Sequence, residues 1–391
     1  MFNYLGFASA VFLLLILASV LLWREIRNKQ MHLWLGSYIK RKQRPKHSGP
    51  THILFCFVDH YEPMWLKVHY EQEVERVKRW VQDYPRLVQT HQDADGCYPK
   101  HTFFYPEEEY RKEHLDAIAD LCSKGFGELE IHLHHDNDTE DGLREKLHRF
   151  TRLLQKEHGA LSCFPDTGKP AWGFIHGNWA LDNSLADGSG CGINNELIIL
   201  KEEGCYADFT LPSAPSSAQT SKINSIYYAK DDPEAPKSHD DGRDVHVGGK
   251  PWGDLMIIQG PLMLNWKNRK WGILPRIENG DIRSVNPPTP ERVDLWVDAG
   301  IHVQGRPEWL FIKIYTHGTQ ERDMDCLLGK PVNQMFSYLE QHYNDGTNYV
   351  LHYVSAREMY NIAKAAEAGN SGNPDDYRDF ILPPPANCAK T

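Results

Sequence analysis

Glu130-Ile131-His132-Leu133-His134-His135-Asp136-Asn137-Asp138 decides how this chain is read. Apolar and polar residues alternate through residues 128–134, the period-2 pattern of a strand. That strand runs straight into three histidines and two aspartates. Imidazoles and carboxylates delivered at the end of one rigid element are what a metal site requires.

Working outward from this strand, the chain alternates between strand and helix signals. Residues 52–59 form a continuous apolar run, as expected of a strand buried on both faces. Helical periodicity covers 71–90, 107–124 and 139–157, with a short strand at 101–105. A strand at 171–175, a helix at 195–203 and a strand at 206–211 follow. Residues 212–250 are rich in Ser, Pro, Asp and Gly and read as a long loop with one small strand at 226–229. Later strands are expected at 255–259, 310–315 and 349–354, and a helix at 330–343. Ser355-Ala356-Arg357-Glu358 has the capping-box pattern that opens a last helix. Repeated strand–helix units with polar residues at the strand ends predict an α/β fold, a distorted (β/α) barrel. It spans 51–370 with an insertion at 212–300, and a Pro- and Asp-rich tail occupies 371–391.

The N-terminus differs. Residues 5–23 are almost wholly apolar, enough at ~1.5 Å per residue to cross most of a ~30 Å hydrocarbon core. Tyr4 and Trp23 stand where interfacial aromatics belong. No basic segment precedes the run and no small-x-small cleavage site follows it, so a transmembrane anchor (1–23) is preferred to a signal peptide. Residues 24–50 read as a basic juxtamembrane linker, with Arg24, Arg27, Lys29, Lys40, Arg41, Lys42, Arg44 and Lys46 against Glu25 alone. Taking these from the 43 basic and 53 acidic residues leaves the rest of the chain at -17. An acidic body argues against nucleic acid as a partner. The basic segment suits anionic lipid headgroups and, by the positive-inside rule, a cytoplasmic body. One anchor leaves a periplasmic body open. Eight cysteines are scattered, from Cys56 to Cys388, with no Cys-x-x-Cys pair.

In a parallel barrel, ligands belong at the C-terminal strand ends. The residues there are Asp59-His60-Tyr61-Glu62, His132-x-His134-His135-x-x-Asp138, His176-Gly177-Asn178-Trp179, Asp208, and Thr316-His317-Gly318. In their order these motifs resemble the NodB-type polysaccharide deacetylases, over roughly residues 52–365. The resemblance implies a distorted barrel that uses one divalent ion, often Zn2+, to remove N-acetyl groups from amino sugars. Asp59 would be the catalytic base and His317 the catalytic acid. His60, His134 and Asp138 would hold the metal, with His132 in reserve. A rival set uses Asp59 with His134 and either His132 or Asp138. The family's base-orienting arginine falls on Ile175, so His176 beside it is the implied replacement. Tyr206 and Asp208, with Trp179, would line the sugar groove. With the anchor, the resemblance implies a single-pass protein of a bacterial inner membrane acting in exopolysaccharide or lipopolysaccharide assembly.

Two other classes fit parts of the pattern. His132-x-His134 at a strand end also opens the sites of amidohydrolase and PHP-type barrels, although those carry it on the first strand. The altered first and third motifs also allow a catalytically degenerate, glycan-binding scaffold. One bound metal ion favours the deacetylase, two favour the PHP class, and none favours the scaffold.

Overall fold

A computed structural model describes residues 4–386. Its strands are β1 (Thr51–His60), β2 (His101–Pro106), β3 (Gly127–Leu133), β4 (Ser162–Cys163), β5 (Pro170–His176), β6 (Cys205–Asp208), β7 (Ile226–Ala229), β8 (Arg243–Asp244), β9 (Leu255–Ile258), β10 (Met263–Lys270), β11 (Leu274–Glu278), β12 (Trp309–Thr316) and β13 (Tyr349–Tyr353). Its helices are α1 (Tyr4–Asn28), α2 (Leu35–Lys40), α3 (Tyr70–Val88), α4 (Lys112–Leu121), α5 (Glu140–His158), α6 (Glu196–Glu203), α7 (Pro290–Asp298), α8 (Glu321–Leu327), α9 (Lys330–His342) and α10 (Ala356–Glu367).

One 11-stranded sheet dominates, ordered β12-β1-β2-β3-β5-β6-β9-β7-β8, with β13 also on β1 and β4 on β5. From β12 to β9 the path is parallel, and β7, β8 and β4 pair antiparallel. Among the described residues no ladder joins β12 to β7, β8 or β9, so the expected closure into a barrel is replaced by an open path. Lys313 bridges part of that gap: its Nζ donates to the carbonyls of Phe209 (2.5 Å) and Leu211 (2.6 Å), which follow β6.

Alternation along the strands sorts side chains into two cores. Ile53, Phe55 and Phe57 of β1, with Leu129, Ile131 and Leu133 of β3, pack against Trp80 of α3, Ile118 of α4 and Phe150 of α5. Leu54, Cys56 and Val58 face the other way, with Ile175, Met256 and Phe311, and α10 covers that face through Met359 and Ile362. Every β3 residue on this second side is polar and partnered. Glu128 binds Arg357 (2.7 Å), Glu130 accepts from Tyr206 Oη (2.5 Å) and Gly173 N (2.5 Å), and His132 reaches Glu62 (3.2 Å). The polar half of the alternation that marks this strand is therefore an inward hydrogen-bonding ladder.

The capping box at Ser355 forms as expected, and it seats α10. β7 and β9 form where strands were expected, at 226–229 and 255–259, but the stretch 212–300 also holds β8, the β10–β11 hairpin and α7, which were not. The polar run Lys267-Asn268-Arg269-Lys270 hides β10, and Pro290 in the first turn of α7 masks a helix that it in fact starts.

α1 contains one stretch, Phe7–Asn28, long and apolar enough to cross a membrane. The segment after it is not a free linker. Trp34 is fully buried and Tyr38 nearly so, in a cluster with Ala214, Leu262, Met263 and Leu264. Glu25 also pairs with Lys270 of the hairpin (2.8 Å). Among the described residues no disulfide forms, and Cys388 lies outside them.

Candidate metal centre

The C-terminal ends of β1, β3 and β12 bring His60, Glu62, His132, His134 and His317 together. His60 continues the inward face of β1, and Glu62, two residues on, returns to it. His132 and His134 continue the inward face of β3. Candidate ligand atoms of His60, Glu62 and His317 lie within 4.8 Å of one another, as do those of Glu62, His132 and His134. The Glu62 carboxylate is common to both sets.

Burial pushes the Glu62 carboxyl up, but the imidazoles of His132 and His134 at its oxygens outweigh it, leaving Glu62 well below its ordinary range. Burial lowers His132, so its ring is neutral near pH 7. Its Nδ1 lies 2.8 Å from the carbonyl of Ile175 and must donate there. The neutral ring then turns a lone pair on Nε2 toward Glu62 Oε1 at 3.2 Å. Two acceptors face each other, and a cation between them resolves the conflict. A backbone carbonyl holding the far nitrogen is also how metal-bound histidines are usually oriented. His60 Nδ1 is buried without a partner. These donors fit a divalent ion such as zinc.

His134 is half-exposed. Burial alone would lower it, but Glu108 (2.5 Å to Nδ1) and Glu62 (3.4 Å to Nε2) raise it to about 10. Burial pushes neighbouring Glu109 up to about 8. The His317 ring stacks on His60 with centroids 4.5 Å apart, and Trp179 stands edge-on to both at 6.4 Å. Trp179 has a φ of 58°, in the left-handed region that a bulky residue adopts only under constraint.

Other expected site residues lie elsewhere. Asp59, expected as the base, is wholly buried on the helix side of β1, because it alternates with His60. It accepts from His101 Nε2 (2.9 Å) and Gly318 N (2.6 Å), so it holds the loop that carries His317. A Cβ on Gly318 would lie 2.0 Å from Asp59 Oδ2, so that close approach requires glycine. The expected ligand set His60, His134 and Asp138 is not gathered at one point. The chain turns at Asn137 (φ 49°), and Asp138 pairs with Lys146 (2.6 Å) and lies 3.3 Å from His135 Nδ1. His176, expected to orient the base, points to the helix side of β5. Asp208 and Tyr206, expected in a sugar groove, are buried: Asp208 is held by Thr210 and Tyr206 by Glu130.

A second group forms on the helix side, from His135, His176, Cys191 and Glu196, with ligand atoms again within 4.8 Å of one another. Glu62 stands in the strand-end list with no role given to it, and Cys191 and Glu196 have none in the sequence reading. Glu62 had a signal, its spacing of two from His60. Cys191 and Glu196 had none, because they reach the group from a loop and a helix start far along the chain.

No protein-family model matches this chain, and no curated protein matches it.

Proposed function

We propose that this chain is a metal-dependent hydrolase that removes N-acetyl groups from amino sugars of a polysaccharide or lipid-linked glycan. The observation that carries this is the convergence of four histidines on Glu62 at the half-open end of a parallel sheet. His60, Glu62, His132 and His134 would hold one divalent ion, zinc. When bound, such an ion polarises the amide carbonyl and acidifies a water from a pKa of 15.7 toward ~7.

His317 handles the proton. It is partly open to solvent and stacked on His60, with its loop fixed through Gly318 by Asp59. An imidazole nitrogen of His317 takes the proton of the attacking water, then gives it to the departing amine, which cannot leave as an anion. Asp59 acts by positioning rather than as the base. Glu108 orients His134, and Trp179 offers an aromatic edge to the sugar beside the two stacked rings. α1 anchors the chain at a bacterial inner membrane, and the basic residues after it put the body on the cytoplasmic side.

The test is release of acetate from N-acetylated oligosaccharides by the purified chain, with and without chelator. Chelator-sensitive release is expected, and none from any such substrate sinks the reading.

The shared Glu62 supports a second reading, a two-ion hydrolase of the amidohydrolase or PHP class, whose ions sit ~3.5–4 Å apart. A His60→Ala/His132→Ala double variant separates them. It loses one ion per chain if the deacetylase reading holds and two if the alternative does.

A further inference from the structure

We propose that His135, His176, Cys191 and Glu196 form a separate, structural zinc site, sealed from solvent. Imidazole, thiolate and carboxylate are each zinc ligands, and a structural zinc site is closed by four such ligands in a tetrahedron. All four residues are at most 5% exposed. Glu196 Oε1 lies 3.0 Å from His135 Nε2 and 3.8 Å from His176 Nε2, and Glu196 Oε2 lies 3.6 Å from Cys191 Sγ. Zinc bonds of ~2.0–2.3 Å place tetrahedral ligands roughly 3.3–3.8 Å apart. The side chains are therefore already near coordinating separation.

A second observation points the same way. His176 Nε2 is fully buried, aimed into the group, and has no hydrogen-bond partner. A buried polar nitrogen left unpaired is costly, and native structures rarely keep one without a reason. Its Nδ1 accepts a 3.2 Å bond from Asn178 N. Zinc on Nε2 moves the ring proton to Nδ1 and gives up that one long bond for a metal bond.

Charge balances as burial demands. Two neutral imidazoles, a thiolate and a carboxylate make the complex with Zn2+ electrically neutral. Zinc takes the thiolate, so loading the site releases the Cys191 thiol proton. Groups behind the ligands fit the role. Asp182 N donates to Glu196 Oε2 (2.6 Å), and Asp138 lies behind His135.

The ligands come from the β3 end, the β5 end, the following loop and the start of α6. Zinc here would clasp residues 177–195, the segment carrying Trp179, to the strand that carries His134. His134 and His135 are consecutive and point to opposite groups.

The test uses the full-length chain in detergent, loaded with Zn2+, by elemental analysis and X-ray absorption at the zinc edge. A sulfur shell at ~2.3 Å is expected. Among the described residues Cys191 is the only cysteine in a candidate metal group, so sulfur reports this site alone. Cys191→Ser should lose one zinc per chain and the sulfur shell. The His60→Ala/His132→Ala variant should keep both the sulfur shell and its zinc. Zinc without sulfur in the unmodified chain, or full zinc content in a folded Cys191→Ser, overturns this site and leaves the catalytic reading standing. If Cys191→Ser does not fold, the unmodified chain and the double variant decide. A sulfur shell with no acetate release does the reverse, and no bound zinc at all overturns both.

Discussion

The two histidine groups at the end of β3 share a peptide bond but not an environment. The inner group, His60, Glu62, His132, His134 and His317, has two half-exposed rings; the outer group, His135, His176, Cys191 and Glu196, is sealed. Strand alternation separates them: His134 continues the inward face, His135 the helix face. The inner group combines open rings with mismatched acceptors, features suited to binding and turnover. The outer group sets a buried thiol among two imidazoles and a carboxylate with no access, features suited to holding a loop. On the proposed reading, one short run of sequence serves reactivity and rigidity at once.

The sharpest break between the groups is in turnover. His317→Ala should cut acetate release by roughly 10²–10⁴-fold with metal content unchanged. His134→Ala should lose inner-site metal as well. Equal metal loss in both, by elemental analysis, would make His317 a ligand instead of a proton carrier.

Chelation should separate the groups in time. The half-open inner site should empty first, abolishing activity while the melting temperature holds. The melting temperature should fall only later, as the sealed site opens. Simultaneous loss in a time course of assay and thermal melt would contradict the division.

Gly177→Ala should strike the inner group alone. A Cβ there would lie 2.3 Å from His134 Cδ2, and the half-exposed ring must swing aside. A drop in turnover of up to about 10²-fold is expected, the cost of misplacing a group at the site, with little change in melting. A large loss of stability would mean the ring cannot move.

The last effect, spread over several pH units, lies one layer below His132. Burial raises Glu130 from 4.5 to about 8, so it keeps its proton in the folded chain. Below pH 4.5 both folded and unfolded chains hold that proton, and its contribution to stability is fully present. Above it the unfolded chain ionises first, and stability falls by on the order of 1 kcal/mol per pH unit until about pH 8. Glu130→Gln mimics the protonated form. Its melting temperature relative to the unmodified chain should therefore rise across that window, as followed by thermal melts at several pH values.

Much of the inner group was legible because its signals are local. The β3 alternation, the strand ends of β1 and β12, and the capping box of α10 are each written in a run of only a few residues. Alternation also carried the information that was misread. It assigns Asp59 and His60 to opposite sides, so Asp59 was never free to serve as a base beside a His60 ligand. Asp138 was misplaced because spacing along a strand does not continue through the turn at Asn137. The outer group was illegible for a different reason. Cys191 and Glu196 meet His135 only through the path from β5 into α6, and no local pattern encodes that meeting. The β10–β11 hairpin was hidden because, past the buried Met263 and Leu264, β10 turns Lys and Arg to solvent and leaves no apolar period to read.

Trp34, buried against Leu262, Met263 and Leu264, fixes where this protein can be trimmed for work in solution. A recombinant form starting near residue 29 keeps that ring and its socket. One starting at residue 51 removes Trp34 and Tyr38 together and leaves the socket as an apolar scar. The shorter form should self-associate on size-exclusion chromatography where the longer one stays monodisperse.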